Sequence, residues 1–527
     1  MEPGCFSRRT LRGNVAHVYD ETVERHADRP ALVTEARSFT HAELRERASR
    51  FAGGVDELGV DPGDRVALFL PNCPEFVIAV LGGFLAGTPP VPLSHQFTAR
   101  EIAFHLDDAD AAVFVTHADL RERALDGLTA ASVDPVLVTV GGENEGAGPT
   151  FEAVDAAPHR VERADDDAAL QPYTSGTTGE PKGVLLTHRN IRAQSLLGFE
   201  RTNLPAERER FLSVMPLAHV AGLINRTWQP LVRGATVHLR DPREWNPEEV
   251  LATIEREKIT KLGAVTTMYV DLVNHEAFGE YDLSSLEEAM VGADAMPADV
   301  QRQFEEGAGV ELFEAYGLTE TGGGTHAGIN STFGPRLGTI GQPLRATDCK
   351  VVDEKGDEVP PGESGELLVR GPHVMAGYHD RPQATAEAFA EGGYLRTGDV
   401  VRRDEDNYYE VLDRKSDVIV TAGYTVYPHE VEEVLHEHPG VVDAAVVGTP
   451  DERRGETVEA YVIPDRSADL DAGEPDRSAD LDVGELREYC LERLAAYKHP
   501  RRIEFVDRLP RTASGKVRRF ELRAESD

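Results

Sequence analysis

The sequence predicts an α/β protein built from more than one domain. At 527 residues the chain exceeds what a single hydrophobic core supports. Short apolar segments at 66–70, 113–115 and 135–140 alternate with helix-patterned stretches, the order expected of parallel sheets. Hydrophobic residues make up 40% of the chain beside 48 Gly and 32 Pro, a balance of packed elements and many turns. The longest apolar run, 76–87, is too short to span a bilayer, so no integral membrane segment is expected. Arg8 and Arg9 suggest a twin-arginine signal only until one finds no hydrophobic segment after them.

The formal net charge is −38, with eight lysines in the whole chain. A surface of that sign repels nucleic acid and anionic membranes, and at low salt it repels itself. The expectation is a protein adapted to a high-salt cytoplasm, as in haloarchaea. The four cysteines are scattered without metal spacing, which suits a reducing compartment.

In chain order, residues 11–60 read as helix, strand and helix, with Thr40 as N-cap and Glu43 completing a capping box. Residues 66–70 form a buried strand stopped by Pro71 and Asn72, and 76–86 a buried helix with an extended exit over 89–93. Segment 141–168, rich in Gly, Glu, Asp and Ala, reads as a surface connection. A helix follows over 187–198, then a buried strand over 211–219 that delivers His219 into a turn. Residues 311–320 read as strand plus turn, and 365–378 as strand, turn and strand. Asn407 suits a left-handed turn position. A helix over 430–438 ends at Pro439-Gly440. Residues 465–474 recur almost unchanged at 476–485, an acidic tandem insertion expected in a solvent loop.

Several stretches carry chemistry. Residues 173–184 read Tyr-Thr-Ser-Gly-Thr-Thr-Gly-Glu-Pro-Lys-Gly-Val. Glycines let the backbone bring its N–H groups close to an anion, Thr174, Ser175, Thr177 and Thr178 add hydroxyl donors, and Lys182 adds a point charge. That is a phosphate cradle, though not the Walker pattern, because Pro181 precedes the lysine and Gly183 follows it. In the stretch from Glu311 to Glu320, Tyr316 offers a flat face for adenine, Thr319 a phosphate donor and Glu320 a hard oxygen ligand for Mg²⁺. Asp399, after a Thr-Gly turn, is suited to accept hydrogen bonds from both hydroxyls of a ribose. Gly322, Gly324 and Ala327 fit a loose dinucleotide fingerprint, rejected for want of a strand–turn–helix context.

Taken together, these motifs resemble those of the adenylate-forming enzymes: acyl-CoA synthetases, adenylation domains and luciferases. The resemblance runs from about residue 20 to 520. It implies a large, multi-lobed N-terminal domain over 1–413, with βαβ-type sheets and a barrel-like part. A small, mobile α+β C-terminal domain over 414–527 would carry the acidic insertion at 465–485. It implies nucleotide contacts from Thr174, Ser175, Gly176, Thr177, Thr178, Gly179 and Lys182. Further contacts would come from Ala293 and Asp294, from Glu314, Ala315, Tyr316, Gly317 and Thr319, and from Asp399 and Arg414. Lys516, in Leu-Pro-Arg-Thr-Ala-Ser-Gly-Lys, takes the catalytic position with Glu320, Thr178 and Lys182. His219 and Gly222 fall beside the acyl pocket, Gly423 and Tyr424 on the coenzyme A tunnel, and Ser416 at the hinge.

The implied reaction activates a carboxylic acid with ATP and Mg²⁺ as acyl-AMP, then transfers the acyl group to coenzyme A. The run Thr321-Gly-Gly-Gly-Thr325, with Gly322 and Gly323, suggests an open pocket mouth and leans toward a medium- or long-chain fatty acid. An aryl-acid CoA ligase and a stand-alone adenylation enzyme loading a carrier protein are the alternatives. An amino-acid substrate is disfavoured, because Ala218-His219 lacks the Asp that would hold an ammonium group.

Overall fold

The computed structural model describes residues 12–142, 148–174, 181–198, 205–292, 296–451, 453–465, 481–511 and 517–525. They fall into two compact units. One draws on Met1–Ser175, Glu180–Cys349 and Val369–Leu395, and the other on Lys350–Leu368 and Arg396–Asp527.

The first unit contains a nine-stranded sheet. Its order is Gln342–Pro343, Gly323–Ala327, Leu312–Leu318, Glu288–Gly292, Lys261–Val265, Arg210–Ser213, Thr236–Leu239, Pro30–Val33 and Ser38–Thr40. The strands from Leu312–Leu318 through Pro30–Val33 are parallel, and the edges close antiparallel. A second sheet, Pro90–Pro92, Arg65–Phe69, Ala111–His117 and Val136–Val140, is parallel throughout. Helix Pro74–Ala86 is buried along its whole length, as the uninterrupted apolar run requires. Helix His41–Glu57 starts with the capping box: Thr40 accepts from the Glu43 N–H, and Glu43 accepts from the Thr40 N–H.

The strand expected over 211–219 is shorter. Only Arg210–Ser213 pairs in the sheet. Beyond it the Asn72 amide replaces a neighbouring strand, donating to the Met215 carbonyl at 2.9 Å and accepting from the Leu217 N–H at 2.8 Å. Pro216, which has no N–H, sits between them. His219 then lies in the turn that opens a π-helical segment, Ala221–Trp228. This segment is wound so wide that the Gln229 N–H reaches back to the Ile224 carbonyl. It carries polar residues into the core: Asn225, Arg226 and Thr227 are all buried.

Charge is buried here too. Parallel register sets Lys261 beside Glu288, and the two form an ion pair. Glu209, fully buried, accepts two bonds from Arg233, Nε to Oε2 at 2.8 Å and Nη2 to Oε1 at 2.9 Å. Lys261 Nζ also lies 3.9 Å from Glu209, and Arg226 lies 4.0 Å from Glu288. The cluster ties three neighbouring strands to the segment behind them.

Asp348–Val352, Ser364–Arg370 and Tyr394–Arg403 are neighbours in another sheet, and Tyr409–Arg414 pairs antiparallel with Tyr394–Arg403. Asn407, between those two strands, has φ of 66°, as expected for a left-handed turn position. A further sheet runs Tyr424–Val426, Ile419–Thr421, Gly455–Pro464 and Val441–Asp451, with Arg502–Phe505 parallel to Gly455–Pro464. Helices Pro428–His436 and Val483–Arg493 cover it through Val431, Leu435, Leu486 and Cys490. The end of the second acidic copy is therefore helical, since Val483, Gly484 and Glu485 open the latter helix. Residues 466–480 lie outside the described residues.

Asp413 is buried among Arg519, Glu432 and the N–H groups of Arg414 and His429, and burial pushes its carboxyl up to about 6. A carboxyl raised in the folded chain keeps its proton where the unfolded chain has lost it. Its contribution to stability is thus present below 3.8 and lost as pH rises toward about 6. Asp413→Asn is expected to remove that loss. Urea unfolding midpoints of both proteins at several pH values across the window check it, and parallel curves would contradict it.

Candidate active site

The phosphate-cradle stretch is anchored at both ends by one ladder. Thr174, at the end of strand Tyr173–Thr174, pairs with Lys182 at the start of Lys182–Thr187, and Tyr173 pairs with Gly183. Ser175, Gly176, Thr177, Thr178 and Gly179 lie outside the described residues. On its other edge, Lys182–Thr187 pairs with Gly377–Tyr378, so Tyr378 stands opposite Val184. Lys182 Nζ sits 5.1 Å from the centre of the Tyr378 ring, a cation–π distance. The Tyr378 hydroxyl donates to Glu320 Oε1 at 2.9 Å. Burial first, and then the Glu320 charge, push the Tyr378 phenol well above its ordinary value, so it stays a donor. Lysine, tyrosine and glutamate thus form one chain of contacts.

Glu320 lies in a single tight turn, Thr319–Thr321, and its carbonyl accepts from the Met375 N–H at 2.8 Å. The turn is closed by the Thr321 hydroxyl, which donates to the Gly323 carbonyl at 2.6 Å. Glu314, Ala315, Tyr316 and Gly317 precede it on Leu312–Leu318. Tyr316 meets His326 edge-on, ring centres 5.7 Å apart. Gly317 abuts Gly323 so closely that a Cβ there would fall 2.1 Å from the Gly323 carbonyl oxygen. The neighbouring turn with Ala293 and Asp294 lies outside the described residues. Gly323–Ala327 is an antiparallel strand, which fits the rejection of the dinucleotide fingerprint.

His219 is half-buried, and its carbonyl accepts from the Leu223 N–H at 2.9 Å. Gly222 is required by packing, because a Cβ would fall 2.4 Å from the Pro216 carbonyl oxygen. Gly322 adopts φ of 63° as it leaves the tight turn.

In the second unit, Asp399 is 2% exposed and pairs in register with Arg414, whose Nε lies 2.7 Å from Asp399 Oδ1. Ser416 is exposed beyond it, and its carbonyl accepts from Arg523 at 3.4 Å. Gly423 has φ of 83°, and Tyr424 is exposed and stacked on Tyr497, ring centres 4.5 Å apart. Lys516 lies outside the described residues, in a stretch flanked by a bridge between Arg511 and Val517.

Among the described residues no group of three or more His, Cys, Asp or Glu is arranged to hold a metal ion. A nucleotide-borne Mg²⁺ does not need one, since it takes one or two carboxylates and completes its shell with phosphate and water. Glu320, half-buried and bonded through one oxygen, fits that requirement.

Sequence reading missed the part played by Tyr378, because the stretch around it was read as structural only. Its signal is nonlocal: Glu320 and Tyr378 are 58 residues apart in sequence. The burial of Asn225 was not foreseen either, and the polar Asn-Arg-Thr run inside an apolar stretch was the available clue.

A glycine- and hydroxyl-rich stretch held by a strand ladder, with its lysine linked through Tyr378 to a carboxylate turn, has the features of a nucleotide-dependent enzyme. The sequence matches AMP-binding enzyme over residues 19–379 and AMP-binding enzyme C-terminal domain over 430–516, and the chain belongs to this family. It is an acid–CoA ligase that works through an acyl adenylate, with ATP and coenzyme A as substrates. It is 36% identical to a feruloyl-CoA synthase of Amycolatopsis sp over 486 residues, 92% of this chain and 94% of the relative. It is 33% identical to a long-chain-fatty-acid–CoA ligase of Bacillus subtilis (strain 168) over 541 residues, 96% of this chain and 94% of the relative. The anthranilate CoA ligase AuaEII, solved with anthranoyl-AMP, superposes with a TM-score of 0.88 at 27% identity, covering 98% of each chain. Among the described residues no helix is long and apolar enough to cross a membrane.

Proposed function

We propose that the protein activates a carboxylic acid with an extended apolar body, using Mg²⁺-ATP, and passes the acyl group to coenzyme A in a high-salt cytoplasm. A carboxylate is a poor acylating agent, because oxide is a bad leaving group. Attack of its oxygen on the α-phosphorus of ATP makes AMP the leaving group and releases pyrophosphate. The thiol then attacks the mixed anhydride and releases AMP. The difficulty lies in bringing one anion onto another. Lys182 and the cradle's N–H and hydroxyl groups hold the phosphates, while Lys516 meets charge developing at the α-phosphoryl. Glu320 would hold Mg²⁺, which supplies further neutralisation of phosphate charge. Asp399, held by Arg414, anchors the ribose. Ala293, Asp294 and Tyr316 would frame adenine, and a movement of the C-terminal domain about Ser416, from a boundary near Arg414, would exchange Lys516 for Gly423 and Tyr424.

The observation that carries the proposal is the contact chain Lys182–Tyr378–Glu320, which links the cradle's lysine to the carboxylate. Acid-dependent exchange of pyrophosphate into ATP, followed by coenzyme A-dependent release of AMP, tests it. Exchange without coenzyme A dependence would favour loading of a carrier protein instead. Tyr378→Phe keeps the ring under Lys182 but removes the donor to Glu320. It is expected to lower kcat/KM for ATP by about tenfold, the worth of one hydrogen bond to a charged group. Tyr378→Phe exchanging at the wild-type rate would exclude this role.

A fatty chain is the first reading of the acid, an aryl body the second. The second gains from the packing at the glycine run, where the space over Gly323 is taken by Asn225. Activity and melting temperature are both expected to rise with KCl toward 1 M, where a Debye length of about 3 Å screens the surface carboxylates. A melting temperature flat between low and molar salt would exclude the halophilic reading.

A further inference from the structure

We propose that Asn225 reads a hydroxyl on the acyl group, at the end remote from the carboxylate, an inference that rests on the ligase reading above. Asn225 is 8% exposed, and among the described residues its Oδ1 has no hydrogen-bond partner. The polar side chains of Gln194, Arg226 and Thr227 have partners within the fold. Gln194 donates to the carbonyls of Thr321 at 2.7 Å and Gly324 at 3.1 Å. Arg226 reaches Met290 and Glu288. The Thr227 and Ser213 hydroxyls are 3.2 Å apart. A native fold rarely leaves a buried amide without a partner, so a group from outside the chain is the natural complement.

Position supports this. The amide lies against the glycine run that follows the Glu320 turn: a Cβ at Gly323 would fall 2.2 Å from Asn225 Oδ1, and one at Gly324 would fall 3.4 Å from Nδ2. Only glycine lets the amide approach so closely. Beside it stands Leu344, 3.8 Å from that Gly324 position and packed with Leu197, Met290, Phe313 and Ala327. The surroundings are therefore an apolar wall with one unengaged amide. Along Ala221–Trp228, Asn225 lies deeper than the half-buried His219 at its entrance. A carboxylate at the phosphate chemistry around Glu320 would send its far end this way. A hydroxyl both donates and accepts, so it satisfies the amide in either flip state.

The test is pyrophosphate exchange on matched acids: para-hydroxycinnamic against cinnamic acid, and omega-hydroxypalmitic against palmitic acid. Wild-type enzyme is expected to favour the hydroxylated member of one pair by at least about tenfold in kcat/KM. Which pair shows it identifies an aryl or an aliphatic body. Asn225→Leu is expected to abolish that preference while still exchanging with the deoxy acid. Asn225→Ala, which adds no bulk, should do the same if the leucine disturbs packing. A wild-type ratio near one in both pairs, or a ratio unchanged in both variants, overturns the inference and leaves the ligase reading standing. Absence of exchange with every acid overturns both.

Discussion

Lys516→Ala is expected to lose acyl-adenylate formation by about 10²–10³ in rate, the worth of one charge-stabilising donor. Coenzyme A attack on supplied acyl-AMP should survive largely intact. The difference arises because only the first step brings an anionic carboxylate onto the α-phosphorus, whose oxygens gather charge in the in-line transition state. In the second half-reaction the phosphorus is not attacked: the thiol adds to the acyl carbon, the charge builds on the carbonyl oxygen, and it passes to the departing AMP. Separate assays, pyrophosphate exchange for the first step and thioester formation from synthetic acyl-AMP for the second, read the two effects. Equal losses in both would mean that the lysine supports the fold or both poses, and the division of labour would fail.

Arg233→Met is expected to destabilise the first unit by about 3–5 kcal/mol, because it strands a buried carboxylate. Glu209 would lose both guanidinium bonds, and Lys261, 3.9 Å away, is itself paired with Glu288. A methionine of similar length fills the space but cannot pair. Replacing Arg233 and Glu209 together with apolar residues should recover much of the loss, since the cost lies in the unpaired charge rather than in the missing bridge. Thermal melts of the single and double variants decide this. A single variant melting with the wild type would show that Glu209 does not depend on Arg233.

What the sequence made legible was local. Thr40 and Glu43 satisfy each other across three residues, so their capping box could be read directly. The helix at Pro74–Ala86 and the strands at Arg65–Phe69 and Ala111–His117 were legible because their whole apolar runs are buried. The motifs were legible as those of the family that the chain matches. What escaped depended on contacts between distant segments. The strand ending at Ser213 could not be foreseen, because the groups that replace its neighbour belong to Asn72. Tyr378 reaches Glu320 only through the register that sets it opposite Val184. The glycines at 323 and 324 looked like open space, since the sequence does not reveal that Asn225 packs against them. The acidic repeat read as loop throughout, yet its final residues open a helix whose Leu486 and Cys490 are buried.

The ion pair between Asp399 and Arg414 bears on how a nucleotide tolerates brine. Potassium at molar concentration weakens any attraction that operates across water, including the pull of exposed cations on a triphosphate. Asp399 is only 2% exposed and meets its guanidinium at 2.7 Å, a short and partly buried contact that salt screens far less than one across water. If Asp399 holds the ribose as proposed, it would do so with a guanidinium already beside it. Nucleoside recognition would then stay constant over a range of ionic strengths in which steering of the phosphates fades.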